Sequence, residues 1–181
     1  LAGLIETASR DVLAAGSEAD VMVLLRRMKA EAALMIALCD IGGVWPVMRV
    51  TAALTDIAVN SVQSALRYLF RQEVARGRMT AADPEHPEVG SGLIVLAMGK
   101  MGAGELNYSS DIDLIVFFDR TATSLAEDIE PQPFFVRVTQ AMARMLQQRS
   151  GEGYVFRVDL RLRPDPASTQ VAISTDAALH Y

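Results

Sequence analysis

Two aspartates one residue apart, Asp111 and Asp113, open an apolar run, DIDLIVFFD (111–119). Along a strand, side chains alternate faces, so both carboxylates fall on one face with their α-carbons ~6.6 Å apart. Two like charges this close raise each other's cost of ionisation, and burial adds to it. A divalent cation relieves both, and Mg2+ takes one or two carboxylates plus waters and substrate phosphates. A second segment, FRVDLRLRP (156–164), alternates in the same way. Phe156, Val158, Leu160 and Leu162 share one face; Arg157, Asp159, Arg161 and Arg163 share the other. That polar face is either open to solvent or lines a cleft. Asp159 is then a candidate third carboxylate, and the planar forks of Arg161 and Arg163 suit phosphate oxygens.

Directly before the Asp pair stands GKMGAGELNYSS (99–110). Gly99, Gly102 and Gly104 let the backbone approach a ligand, and Ser109 and Ser110 offer hydroxyl donors to a phosphate. Lys100 is followed by Met101 rather than Ser or Thr, so this is not a P-loop. The spacing G-x-x-G-x-G is not the dinucleotide fingerprint either. Each feature alone has a plain reading: a solvated strand end, an ordinary turn, a sheet face with cross-strand ion pairs. Together they form a layout for phosphoryl transfer. His86, His180 and Cys39 are the only His and Cys residues, too few and too scattered for zinc.

The elements that must position these residues follow from periodicity. Residues 17–40 read as an amphipathic helix capped by Ser17 or Asp20, with Val21, Leu24, Leu25, Met28, Ala32, Met35 and Cys39 on one stripe. Arg26, Arg27 and Lys29 lie off it. Gly42-Gly43 ends the helix, Trp45-Pro46 is a turn, and a second helix runs from about Thr51 towards Gly77. TAADPEHPEVGS (80–91) is a loop and an expected boundary. After it come a buried strand at 92–99, a second at 111–119, a polar loop at 120–132, a helix from Pro133 to Arg149 and a third strand at 154–164. TDAALHY at the end reads as the first turns of another helix. The expected fold is α+β: a helical hairpin or bundle over 1–80, then a small mixed sheet with flanking helices over 81–181.

Composition bounds the rest. The chain has 181 residues, 51% hydrophobic and 22% charged, with a net charge of −5. That balance argues for a globular domain and against a general nucleic-acid binder. Locally the sign reverses: residues 131–165 carry Arg137, Arg144, Arg149, Arg157, Arg161 and Arg163 against Glu152, Asp159 and Asp165. No apolar run is long enough to suggest a membrane span. A lone Cys fits a reducing cytosol, so a cytoplasmic location is expected. LAGLIETASRD lacks a signal peptide's basic start and the chain has no initiator Met, so it reads as a piece of a longer protein.

A strand, a Gly turn with Ser, Asp-x-Asp and a distant third Asp resemble the polymerase-β-like nucleotidyltransferase superfamily. More closely, GKMGAGELNYSSDIDLIVFF and YVFRVDLRLRP resemble the two signature blocks of the glutamine synthetase adenylyltransferase (glutamate–ammonia-ligase adenylyltransferase) family. That family carries two such domains in one chain; the N-terminal half removes AMP from a tyrosine of glutamine synthetase and the C-terminal half adds it. ELNYSSDIDLI and the upstream AALMIALCDIGGVWPVMRVTAALTDIA resemble the N-terminal half more. The resemblance implies a polymerase-β-like sheet, and Mg2+, two ions, on Asp111, Asp113 and Asp159 as catalytic acids. It places Gly99, Lys100, Gly102, Ser109 and Ser110 beside the nucleotide phosphates and Arg161 and Arg163 in an Arg-Leu-Arg-Pro block. It implies glutamine synthetase, the nitrogen-regulatory PII protein, AMP, ADP and phosphate as partners, with neither nucleic acid nor membrane. DPASTQ (165–170) departs from the family by lacking a Gly after that block. The AMP-adding half, a nucleotidyltransferase acting on tRNA or small molecules, and a non-catalytic nucleotide- or metal-sensing domain are the alternatives.

Overall fold

A computed structural model describes residues 1–121, 124–163, 165, 166 and 168–180. Residues 122 and 123 of the expected polar loop, Pro164 of Arg-Leu-Arg-Pro, Ala167 of DPASTQ and the terminal Tyr181 lie outside the described residues. The chain is mixed α+β, a group of helices followed by a small mixed sheet. In order it forms α1 (Ala2–Ala14), α2 (Glu18–Ile41), α3 (Val47–Ala75), β1 (Leu93–Met98), α4 (Gly99–Gly102), β2 (Ile112–Phe118), α5 (Pro131–Gln147), β3 (Val158–Asp159), β4 (Ala172–Ser174) and α6 (Thr175–Ala178).

Ser17 caps α2: its hydroxyl oxygen accepts from the Asp20 amide. Val21, Leu25, Met28, Ala32 and Ile36 are buried along that helix. Arg26, expected off the stripe, is buried too, because its guanidinium reaches across to the Gln148 carbonyl at 2.9 Å. α3 begins at Val47, earlier than periodicity suggested. Pro46 supplies a fixed φ of −69°, and its carbonyl accepts from the amides of Arg49 and Val50. α1, which the sequence reading did not identify, buries Ile5 and Val12 and packs on α2 and α3.

The sheet is built on β2. β1 runs antiparallel to one edge of it, from Leu93↔Phe118 to Met98↔Asp113. The other edge is shared by two short parallel strands: β3 pairs with Ile112 and Asp113, β4 with Val116 to Phe118. β4 was not anticipated. Along β2 burial alternates as expected, with Ile112, Leu114, Val116 and Phe118 inside. An aromatic chain joins sheet to helices. Phe118 stacks on Phe135 of α5 at 4.9 Å, Phe134 meets Phe135 edge-on at 5.2 Å, and Phe70 of α3 lies 6.3 Å from Phe134. Each such pair contributes ~0.5–1.5 kcal/mol beyond the area it buries.

The third strand needs correction. Sequence alternation predicts a strand over 154–164, yet only Val158 and Asp159 pair. Upstream, the amides of Val155 and Phe156 donate to the Leu146 carbonyl at the end of α5. Downstream, Asp159 accepts the Arg161 amide at 2.8 Å, an Asx-type turn that bends the chain away from β2. No helix among the described residues is long and apolar enough to cross a membrane.

Candidate functional site

The end of β1 and the start of β2 lie together, and β3 joins them there. Asp113 is the register partner of both Met98 and Asp159. Gly99 follows Met98 at once, with φ of +53°. A Cβ on Gly99 would stand 2.7 Å from Asp113 Oδ2, so the backbone there runs directly against the carboxylate. Only glycine satisfies both that space and that φ. Gly102 packs back on β1: a Cβ there would lie 2.4 Å from the Ala97 carbonyl oxygen. Lys100 sits exposed on the same short turn, and no ion pair holds it among the described residues.

Ser109 and Ser110 are organised by Asn107. Its Oδ1 accepts from the Ser109 amide at 3.1 Å and from the Ser110 hydroxyl at 2.9 Å, while its own amide donates to Ser110 Oγ at 3.1 Å. Asp111 is exposed and ion-paired with Arg157, whose guanidinium also donates to the Ser109 carbonyl at 3.0 Å. The hydrogen bond from Arg157 to Asp111, and then their Coulombic attraction, raise the Arg157 pKa. Asp159 accepts from Arg161 Nε at 3.0 Å as well as from its amide. The side-chain bond to Arg161 is the main reason that the Asp159 carboxyl titrates below its ordinary value. Arg161 is in turn raised by Asp159 and, more weakly, by the charges of Asp111 and Asp113. All three carboxylates therefore act on one guanidinium. Asp113, half-buried against Gly99, receives no hydrogen bond from a side chain or amide among the described residues.

Arg163 behaves differently from Arg161. Its guanidinium is committed to backbone carbonyls of its own loop: Leu160, Pro166 at 2.9 Å and Thr169 at 3.2 Å. In the same loop Asp165 takes a φ of +38°. A left-handed residue is present in this Gly-free segment after all, supplied by a residue type that tolerates it better than most. Ser168 and Thr169 fold back on the Asp165 carbonyl.

Among the described residues no three His, Cys, Asp or Glu side chains form a ready-made metal cage. The donor chemistry nevertheless fits magnesium. Asp113 and Asp159 are register neighbours, Asp111 stands just before β2 in its pair with Arg157, and the half-buried Asp113 carboxylate receives no donor among the described residues. Mg2+ asks for only one or two carboxylates, the rest being water and phosphate. Arg157 and Arg161 supply the compensating charge meanwhile.

Sequence reasoning left Arg157, Asn107, Thr55 and Asp40 without a role at this site. An Arg two residues before Asp159 was the one local signal for Arg157. The contacts of Thr55 and Asp40 cross from the helices and leave no trace in local spacing.

Comparison with known proteins assigns a family. The family model described as glutamate-ammonia ligase adenylyltransferase matches residues 2–181. A Bradyrhizobium diazoefficiens protein named bifunctional glutamine synthetase adenylyltransferase/adenylyl-removing enzyme is 78% identical over 181 residues, all of this chain and 18% of that protein. A protein of the same name from Bradyrhizobium sp. (strain ORS 278) is 76% identical over the same length, and one from Xanthobacter autotrophicus is 58% identical over 168 residues, 93% of this chain and 17% of its own. The chain thus spans under a fifth of the length of the curated relatives it matches.

Proposed function

The chain belongs to the glutamate-ammonia ligase adenylyltransferase family, and from that premise we propose that it is the nucleotidyltransferase centre that removes AMP from a modified tyrosine of glutamine synthetase by phosphorolysis. The observation that carries the reading is the pairing of Asp113 with Asp159 across adjacent strands, with Asp111 and Arg161 beside them. Removal rather than addition is favoured by ELNYSSDIDLI and the segment upstream of it, which resemble the removing half of the family. In this reading residues 1–80 are the helical scaffold and 81–181 the nucleotidyltransferase core.

An oxygen of inorganic phosphate attacks the AMP phosphorus, the bond from phosphorus to the tyrosine oxygen breaks, and ADP leaves. Asp111, Asp113 and Asp159 are the residues that would hold magnesium, two ions in the family pattern, and the metal supplies charge neutralisation on the phosphoryl oxygens. The tyrosine departs as a phenolate of reference pKa about 10, so no strong general acid is required. That matches a site built without histidine. Arg161, held by a single carboxylate and mostly exposed, is the group positioned to take the incoming phosphate. Gly99 and Gly102 bring backbone close to the ligand, Lys100 projects from the same turn, and Ser109 and Ser110, whose hydroxyls donate to Asn107, would meet the phosphates by exchanging that partner. Arg163 acts by holding the loop that carries Arg161. The nitrogen-regulatory PII protein is the proposed regulatory partner.

The test compares the full-length protein with its Asp113→Asn variant, on AMP-modified glutamine synthetase with Mg2+ and inorganic phosphate, and on unmodified synthetase with Mg2+ and ATP. Wild type is expected to release ADP and the variant to lose that release while still forming pyrophosphate. Loss of pyrophosphate formation with ADP release kept would assign this segment to AMP addition instead.

A further inference from the structure

The loop between the Gly turn and Asp111 has no ladder to hold its amides, so each must find a partner elsewhere. Ala103, Gly104 and Glu105 donate back to carbonyls of α4. Asn107, Ser109 and Ser110 bond among themselves. Leu106 stands at the junction, and its amide leaves the loop altogether. It donates to Thr55 Oγ1 of α3 at 3.2 Å, across 51 residues of sequence. Thr55 is buried, and its own hydroxyl proton goes to the Thr51 carbonyl at 2.9 Å. The oxygen lone pairs are thereby turned towards Leu106. One turn of loop further on, the Tyr108 hydroxyl donates to Asp40 Oδ2 at the end of α2, 3.1 Å away.

We infer that Thr55 and Asp40 are positioning residues for the candidate site, and that the α2–α3 hairpin sets the geometry of the phosphate-facing loop through them. The inference rests on the function proposed above. The path is continuous: Thr55 fixes Leu106, Asn107 follows it and gathers Ser109 and Ser110, the Ser109 carbonyl binds Arg157, and Arg157 pairs with Asp111. Leu106 is buried to 1% exposure, so its amide has no water to fall back on if Thr55 loses its oxygen. The helical scaffold thereby takes part in the site without touching substrate.

Thr55→Val keeps the shape and removes the acceptor; Thr55→Ser keeps the hydroxyl. Both belong in the full-length protein, beside Tyr108→Phe. Amide exchange is read first, with no substrate present. Thr55→Val is expected to speed exchange over residues 104–110 while the core of α3 stays protected, and Thr55→Ser to leave it near wild type. Unchanged protection in Thr55→Val overturns the tether. Turnover is read second. Thr55→Val and Tyr108→Phe are expected to raise KM for inorganic phosphate about tenfold, the scale of one hydrogen bond, with a smaller change in kcat. Wild-type KM and kcat in both variants overturn the positioning role even where the tether holds. Loss of all activity in Thr55→Ser, at unchanged exchange, also overturns it. A wild-type protein without phosphorolysis sinks the function reading and the positioning role with it, while the exchange result stands by itself.

Discussion

Asp113 and Asp159 face each other across parallel strands as register partners. Neighbouring strands lie ~4.8 Å apart, so the backbones of these two residues are closer than those of any pair within one strand face. They come from segments 46 residues apart, counting from 113 to 159. Their closeness has no short-range structural use, and it sets up the first prediction.

Asp113→Asn is expected to abolish turnover, by on the order of 100-fold or more, the scale of deleting a preorganised electrostatic partner. Stability should stay level or rise, because a like-charge contact is removed. Asp111→Asn should lose turnover alike, with stability level or slightly lower as its exposed pair with Arg157 is weakened. Turnover and a thermal melt on the same preparations check this, and retention of most activity by both variants would refute the metal-binding assignment.

Gly99→Ala forces a Cβ into the space of Asp113 Oδ2 on a backbone with φ of +53°. The backbone strain costs roughly 1–2 kcal/mol. Activity should fall much further than that loss of stability explains, since the displaced group is the carboxylate itself. A melt and a kcat measurement separate the two effects.

Arg161 and Arg163 stand two residues apart and should respond oppositely. Arg163→Ala leaves carbonyls of Leu160, Pro166 and Thr169 without their donor, for a loss of ~1–2 kcal/mol in denaturant unfolding. Arg163→Lys should not restore it, because an ammonium lacks the fork that spans three acceptors. Arg161→Ala should leave unfolding unchanged, its ion pair being exposed, and raise KM for phosphate. Equal unfolding curves for both variants would contradict the division of labour.

Lys29 lies over the rings of Tyr154 and Phe156, at 5.6 and 5.8 Å, and burial lowers its pKa. The folded chain therefore releases this proton before the unfolded chain does. Between the lowered value and the unfolded value of about 10.4, the unfolded state binds more protons and stability rises with pH. Lys29→Met removes that contribution. Wild type minus variant, followed by unfolding from pH 8 to 11, should show the difference shift in favour of wild type as pH rises; a flat difference would contradict it.

Short-range pattern was enough for much of the molecule. The stripe on α2 and the alternation along β2 that buries Ile112, Leu114, Val116 and Phe118 and leaves Asp113 on the other face depend on neighbours a few residues away, and both are legible in the chain; Asp111, expected on that strand, stands just before it. The Gly turn was legible for the same reason, since φ and Cβ clearance are local demands. The segment 154–164 marks the boundary of that kind of reading. Its alternation records which way side chains point and says nothing about which backbone will accept its amides. Leu146 takes the amides of Val155 and Phe156, Asp159 takes that of Arg161, and two strand residues remain. The same limit separates Arg161 among the acids from Arg163 in its loop, and hides Thr55 and Asp40 entirely. Types and faces were set by the order of residues; partners were set only when α3, α5 and β2 came together, because a hydrogen bond depends on atoms that sequence distance does not measure.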